Sequence, residues 1–168
     1  YPAAADLKRL FADYYNTVPE GVVNDRFAQE LPVDMDPSER VTQPTNKHYD
    51  FITPEYSGYE SGTDFAWEST RGIGLGFGYN RIETRETHAS SGELVRSLVD
   101  AAAKNGNLLL GIGPMADGTI PAAQLEPLLG LGRWLEVNGE ALYDTRPWSA
   151  ATTTSGQGVE IRFTRGHD

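Results

Sequence analysis

The sequence predicts an α/β fold. Apolar residues recur at helical spacing over residues 4–16, 91–106 and 119–139, and short extended runs fall between these stretches. One run, "NLLLGIGP", is apolar almost throughout, the pattern of a parallel strand covered on both faces. Alternating strands and helices build either a doubly wound sheet or a (β/α)8 barrel. A whole barrel needs about 250 residues. A chain of 168 residues with about four readable parallel strands therefore fits half of one, with two open strand edges.

The first helix is "AADLKRLFADYYN", with Leu7, Leu10, Phe11 and Tyr14 on its core face and "VPEG" as its end. "GVVNDRF" reads as a short strand, and residues 28–47, with three prolines and no period, as a long surface loop. "HYDFITPEY" reads as the second strand, with Pro54 near its end. The third is "RGIGLGFGYN", residues 71–80. There glycine takes every second position while Ile73, Leu75, Phe77 and Tyr79 fill the others, leaving one strand face without side chains. Such a stripe marks close approach of another backbone, a bulge, or room for a ligand. It lacks the spacing of a G-x-G-x-x-G nucleotide turn.

"SGELVRSLVDAAAKNG" is an amphipathic helix with a serine cap and Gly106 as its stop. The apolar strand 107–114 follows. The next helix has Thr119 as cap, Pro121 in its first turn, Leu125, Leu128, Leu129 and Leu135 on the core side and Gly139 as terminator. After Trp148, "SAATTTSGQG" reads as a linker, and "VEIRFTR" as a strand with one wet face and no partner before Asp168, the opening of a second, β-rich domain. The expected organisation is a partial barrel over 1–148, a linker over 149–158 and the start of a β domain over 159–168.

Composition excludes several functions. With 24 acidic against 14 basic residues the formal charge is −10, which opposes binding to nucleic acid or anionic membranes. There is no cysteine, so disulfides and thiolate chemistry are excluded while the compartment stays open. No apolar run suggests a membrane span, so a soluble chain is expected. His48, His88 and His167 share no helical spacing, which argues against a histidine metal site. "DMDPSE" opens like a calcium loop, but Glu39 replaces the turn glycine and Thr45 stands where the bidentate glutamate belongs. No metal and no cofactor is expected. "GIGPMADGTIP" before a helix could hold an anion, and a plain strand-to-helix turn accounts for it equally.

In either α/β arrangement, ligands sit at the carboxyl ends of the strands. That rule selects Asn24, Asp25 and Arg26; Glu55 and Tyr56; Phe77, Tyr79, Asn80 and Arg81; and Gly113 and Pro114. A carboxylate, a guanidinium and aromatic rings at one mouth suit a sugar, with charged partners for its hydroxyls and apolar surface for its C–H faces. A structural ion pair or core packing accounts for each residue taken singly.

Five stretches, "YYNTVPEGVVNDRF", "HYDFITPEY", "WESTRGIGLGFGYNR", "LVDAAAKNGNLLLGIGPMADGTIP" and "LGRWLEVNGEALYDTRPW", together resemble the C-terminal half of the catalytic domain of α-L-fucosidases of glycoside hydrolase family 29. The resemblance runs in order from about Asp6 to Arg165. It implies a (β/α)8-like TIM barrel followed by a β-sandwich, and metal-free release of terminal α-L-fucose from glycoconjugates with retention. Retaining hydrolysis uses two carboxyl groups about 5–5.5 Å apart, one a nucleophile and the other an acid and then a base.

By the resemblance, Glu55 in "TPEY" matches the acid/base of bacterial members, with Glu68 and Glu60 in reserve. Arg26 in "NDRF" matches the arginine that holds the sugar and its nucleophile, and Phe77 the aromatic residue packed on the C6 methyl group. Two departures stand out: Gly111 where the family usually has asparagine, and Phe27 where it usually has tryptophan. The family's nucleophilic aspartate would lie just before Tyr1, so the chain is expected to be inactive alone unless a residue such as Asp13 or Asp25 substitutes. Two readings result: a fucosidase portion acting on a fucosylated glycan or glycoside once joined to its N-terminal half, or an inactive half-barrel that binds sugar or self-assembles through its strand edges as a homo-oligomer.

Overall fold

The computed structural model describes residues 4–27 and 48–166. They fall into two compact units, Tyr1–Phe51 and Ile52–Asp168. The expected loop over 28–47 lies outside the described residues.

In the first unit the expected helix forms as α1, Ala4–Thr17. Leu7, Phe11, Tyr14 and Tyr15 are half-buried along it, while Leu10 is 60 % exposed, correcting its expected place in the core. Phe11 meets Phe27 edge to face at 4.9 Å, and the Tyr14 ring occupies the space a Cβ on Gly21 would need. The strand expected over 21–27 reduces to one parallel bridge between Asn24 and Phe51. Asp50 gives the reason: its backbone N–H donates to the Val23 carbonyl at 2.7 Å, but its carboxylate takes the Val23 N–H, also at 2.7 Å, in place of a ladder partner.

In the second unit, residues 52–56 run parallel to β1, Trp67–Gly72. The Ile52 N–H donates to Ala66 and the Tyr56 N–H to Thr70, while the Glu68 and Thr70 N–H groups donate back to Ile52 and Pro54. Only the rung that would start from residue 54 is absent, because proline has no N–H. Pro54 therefore leaves two bridges, Ile52 with Trp67 and Glu55 with Thr70, where the sequence predicts a strand.

β1 pairs parallel with β2, Gly106–Gly111, through the crossover helix α2, Ser91–Ala103. The helix starts at a capping box in which the Ser90 hydroxyl accepts from the Glu93 N–H, and Glu93 reaches back to the Ser90 N–H at 2.7 Å. Its end differs from expectation. Asn105, at φ 70°, turns the chain, and Gly106 is already strand; a Cβ there would run into the Trp67 indole. Leu94, with no exposed surface, centres the core with Ile73 and Leu131. Each such side chain contributes roughly 1.5–3 kcal/mol.

The glycine-striped strand is not observed. The strand is the preceding "WESTRG", and residues 73–78 bend back instead. A Cβ on Gly72 would meet the Gly76 carbonyl, one on Gly74 the Glu83 carboxylate, and one on Gly113 the backbone of Gly78 and Tyr79. The stripe thus serves close approach, although Gly76 and Gly78 have open space around them. Nor is the apolar strand covered on both sides: Leu108 and Leu110 are half-buried while Leu109 is 51 % exposed.

α3, Ala122–Asn138, is capped by Pro121 rather than Thr119, whose N–H and hydroxyl both donate to Asp117. It turns Gln124, Pro127 and Leu131 inward, with Leu128 and Leu135 beside the core; Leu125 and Leu129, expected inside, are exposed. The stretch expected as a linker is largely strand. β3, Thr145–Thr154, pairs antiparallel with β4, Glu160–Gly166, around a turn at Gly158, φ 79°. The partner of the last strand therefore lies upstream, and Arg162 donates to Asp100 at 2.5 Å, tying β4 to α2.

Candidate active site

In a parallel pair, residues in register share a face and neighbours along the strand alternate. Glu55 stands opposite Thr70, Glu68 opposite Asn107 and Thr70 opposite Leu109, so these side chains belong to one face of the sheet. The other face turns to the helices. Arg71 donates to Ser97 of α2 at 3.4 Å, and Leu110 packs with Leu94.

Glu55 is the last bridged residue of the run 52–56, at the carboxyl edge of the sheet, and is exposed. Glu68 is the second residue of β1, two residues before Thr70 and so roughly 6–7 Å further from that edge. Glu60 is exposed in the connection leading into β1. Among the three glutamates, Glu55 alone stands at the carboxyl edge.

Tyr56, next in the chain, has φ 47°, a strained value for a residue with a side chain. Its hydroxyl accepts the Gly72 N–H at 3.0 Å and donates to the Gly74 carbonyl at 3.4 Å, fixing the start of the bend. Phe77, from the same bend, meets the Tyr56 ring at 5.3 Å and 55°. A Cβ on Gly111 would lie 3.4 Å from the Phe77 ring, an ordinary contact, so Gly111 borders Phe77. Gln124, 4 % exposed, accepts the Gly113 N–H at 2.8 Å and anchors the end of β2. Glu55, Tyr56, Phe77 and Gly111 thus converge at one edge of the second unit.

Arg26 belongs to the first unit, where it is exposed and its N–H donates to the Asn24 side chain at 3.2 Å; Asp25 beside it is buried. In the same unit, Asp50 accepts from the Tyr15 hydroxyl at 2.5 Å. That bond, followed by burial and the carboxylate charge, pushes the Tyr15 hydroxyl up to about 12.

Sequence reasoning missed one buried pair. The side chains of Glu83 and His88 are 3 % and 5 % exposed and 3.4 Å apart, and the carboxylate fills the space left by Gly74. The glycine stripe was the available signal. Among the described residues no group of three His, Asp or Glu side chains could hold a metal ion, and no helix is long and apolar enough to cross a membrane.

A parallel β-α-β unit with an acid and aromatic rings at its carboxyl edge defines an α/β chain of the kind that binds ligands at its strand ends. The alpha-L-fucosidase family profile matches residues 3–140, and the chain belongs to that family. It is 39% identical over 101 residues to the alpha-L-fucosidase of Dictyostelium discoideum, covering 60% of this chain and 22% of that protein. With human plasma alpha-L-fucosidase the identity is 42% over 89 residues, covering 52% and 19%. A solved alpha-L-fucosidase superposes with a TM-score of 0.81 at 47% identity. The Thermotoga maritima alpha-fucosidase in complex with a mechanism-based inhibitor gives 0.78 at 47%, and each match covers 95% of this chain and 33% of the other. The chain thus spans about a fifth of those curated relatives and a third of those solved proteins.

Proposed function

We propose that this chain is the acid/base-bearing portion of a retaining α-L-fucosidase that releases terminal α-L-fucose from glycoconjugates. In the first displacement, Glu55 gives its proton to the glycosidic oxygen as a carboxylate outside these 168 residues attacks the anomeric carbon and the C–O bond to the leaving group breaks. In the second, Glu55 takes a proton from water, whose oxygen displaces the enzyme carboxylate. Arg26 holds the sugar and the nucleophile, and Phe77 packs on the C6 methyl group. The observation that carries this reading is the position of Glu55 at the carboxyl edge beside the Tyr56 and Phe77 rings, with Glu68 set further back.

The same reading makes the chain the C-terminal half of a (β/α)8 barrel that ends before Thr145, with the β3–β4 hairpin opening the domain that follows. The test is turnover of an aryl α-L-fucoside by the pure chain and by the chain mixed with a family N-terminal half. No turnover alone, turnover on mixing, and loss of it with Glu55→Gln are expected. Retention of activity by the mixed Glu55→Gln protein would assign the acid/base elsewhere.

The open sheet face favours a second reading. Leu109 is 51 % exposed on the face away from the helices, so a half-barrel would bind sugar weakly and pair with a second copy there. A monomer at micromolar concentration in sedimentation would overturn it.

A further inference from the structure

The buried pair behind the bend has no part in the two displacements. Glu83 and His88 are 3 % and 5 % exposed, with the His88 Nε2 3.4 Å from the Glu83 Oε2. The His88 Nδ1 lies 2.5 Å from the Thr84 carbonyl, which can only accept, so Nδ1 is the donor there. The approach of Nε2 to the carboxylate is then attractive only with a further proton between them, and sharing it offsets the cost of burying both groups. We propose that Glu83 and His88 are a positioning pair that sets how far Phe77 reaches toward the sugar, and so how strongly a C6 methyl group is preferred to a hydroxymethyl group.

The bend is held from two sides. Tyr56 ties the Gly72 N–H and the Gly74 carbonyl, while the Glu83 Oε2 that faces His88 also occupies the place of a Cβ on Gly74. The Ala89 N–H donates to the Ile73 carbonyl at 2.8 Å, so residues 83 and 89 bear on adjacent residues of the bend. The segment between them is itself anchored: Thr84 and Thr87 cap its short 3-10 turn, Arg85–Thr87, and Arg85 donates to Glu126 of α3 at 2.6 Å. Phe77 follows three residues after Gly74, outside the core cluster and between Gly76 and Gly78, which have open space around them. A shift of Gly74 therefore passes along the bend to the Phe77 ring. Gly74 is not left-handed, so an alanine there meets the carboxylate without backbone strain. Gly74→Ala overfills the contact, Glu83→Ala empties it, and the two together refill it.

The selectivity rests on the fucosidase reading; the positioning does not. The test is the ratio of kcat/KM for an aryl α-L-fucoside to that for the matching aryl α-L-galactoside, measured on the chain mixed with a family N-terminal half. Amide exchange at Gly72, Ile73 and Ala89 in the 168-residue chain alone is the second readout. Glu83→Ala and Gly74→Ala should each lower the ratio about fivefold, as the methyl group loses its fit to the ring. Each should also quicken exchange at those amides about tenfold. The double variant should return both readouts to within about twofold of the unsubstituted chain. Glu83→Gln keeps the volume and can donate to Nε2, so it should leave both readouts unchanged. Equal losses on the two glycosides, or a double variant no better than the worse single one, would make the pair a stability contact and overturn the proposal. Unchanged exchange in Glu83→Ala overturns it as well. If the unsubstituted mixture cleaves neither glycoside, the fucosidase reading fails, and exchange in the single and double variants still decides the positioning.

Discussion

The hydroxyl of Tyr56 bridges two points of the bend: it takes the N–H of Gly72 at 3.0 Å and reaches the Gly74 carbonyl at 3.4 Å. A tyrosine at φ 47° is thereby fixed as the strut under the bend that carries Phe77. Tyr56→Phe keeps the ring and removes the strut. It should cost about 1 kcal/mol and leave the Gly72 N–H without its partner. Amide exchange over residues 72–78 should quicken while that of α2 stays as it was; uniform quickening would make the hydroxyl a general stability contact.

Phe77 separates binding from folding. Its side chain is 41 % exposed and outside the core cluster, so Phe77→Ala should change stability by less than about 1 kcal/mol. A methyl group packed on its ring would lose roughly 0.5–1.5 kcal/mol, or about twofold to thirteenfold in affinity for a fucoside. A melt and a titration of methyl α-L-fucopyranoside on the same variant check both. A large fall in stability with unchanged affinity would reassign Phe77 to packing.

Gly106 is a packing residue rather than a helix stop. Trp67 is 2 % exposed, its indole N–H donates to the Lys104 carbonyl at 3.0 Å, and its ring lies over Gly106 across the β1–β2 pair. Gly106→Ala must push the indole aside or separate the strands, at about 1–3 kcal/mol. Equilibrium unfolding should shift by that amount, with a redder tryptophan emission as Trp67 meets water. An unchanged transition would mean that the pair tolerates the methyl without moving.

What the sequence disclosed follows from how local each signal is. α1, α2 and α3 were legible because helical apolar spacing is a property of one segment, and the position of Glu55 at the carboxyl edge because the strand-end rule needs only the order of elements. The glycine stripe misled because period two describes a strand and a backbone doubled on itself alike; Gly76 over Gly72 is a three-dimensional fact. β3 was missed because "SAATTT" does not alternate, although its three β-branched threonines and the following "SGQG" were hairpin signals. Pro54 hid a strand from its hydrogen-bond pattern while leaving its register intact.

The Tyr15–Asp50 contact predicts a pH window for the first unit. Burial alone would raise the Asp50 carboxyl, but the Tyr15 hydroxyl, the Val23 N–H and the His48 charge hold it below the ordinary value. A carboxyl lowered on folding contributes stability above its unfolded pKa, near 3.9, and loses it as pH falls through the lower folded value. Tyr15 is raised from 10.0 to about 12, so its share is complete below 10 and is lost as pH rises through about 12. The contact therefore contributes across the neutral range and fails at both extremes. In an ultraviolet titration, Tyr15 should ionise near 12. Asp50→Asn removes the charge and weakens the acceptor, so the Tyr15 step should move back toward 10. A late step that survives in Asp50→Asn would belong to another tyrosine and would sever the link between Tyr15 and Asp50.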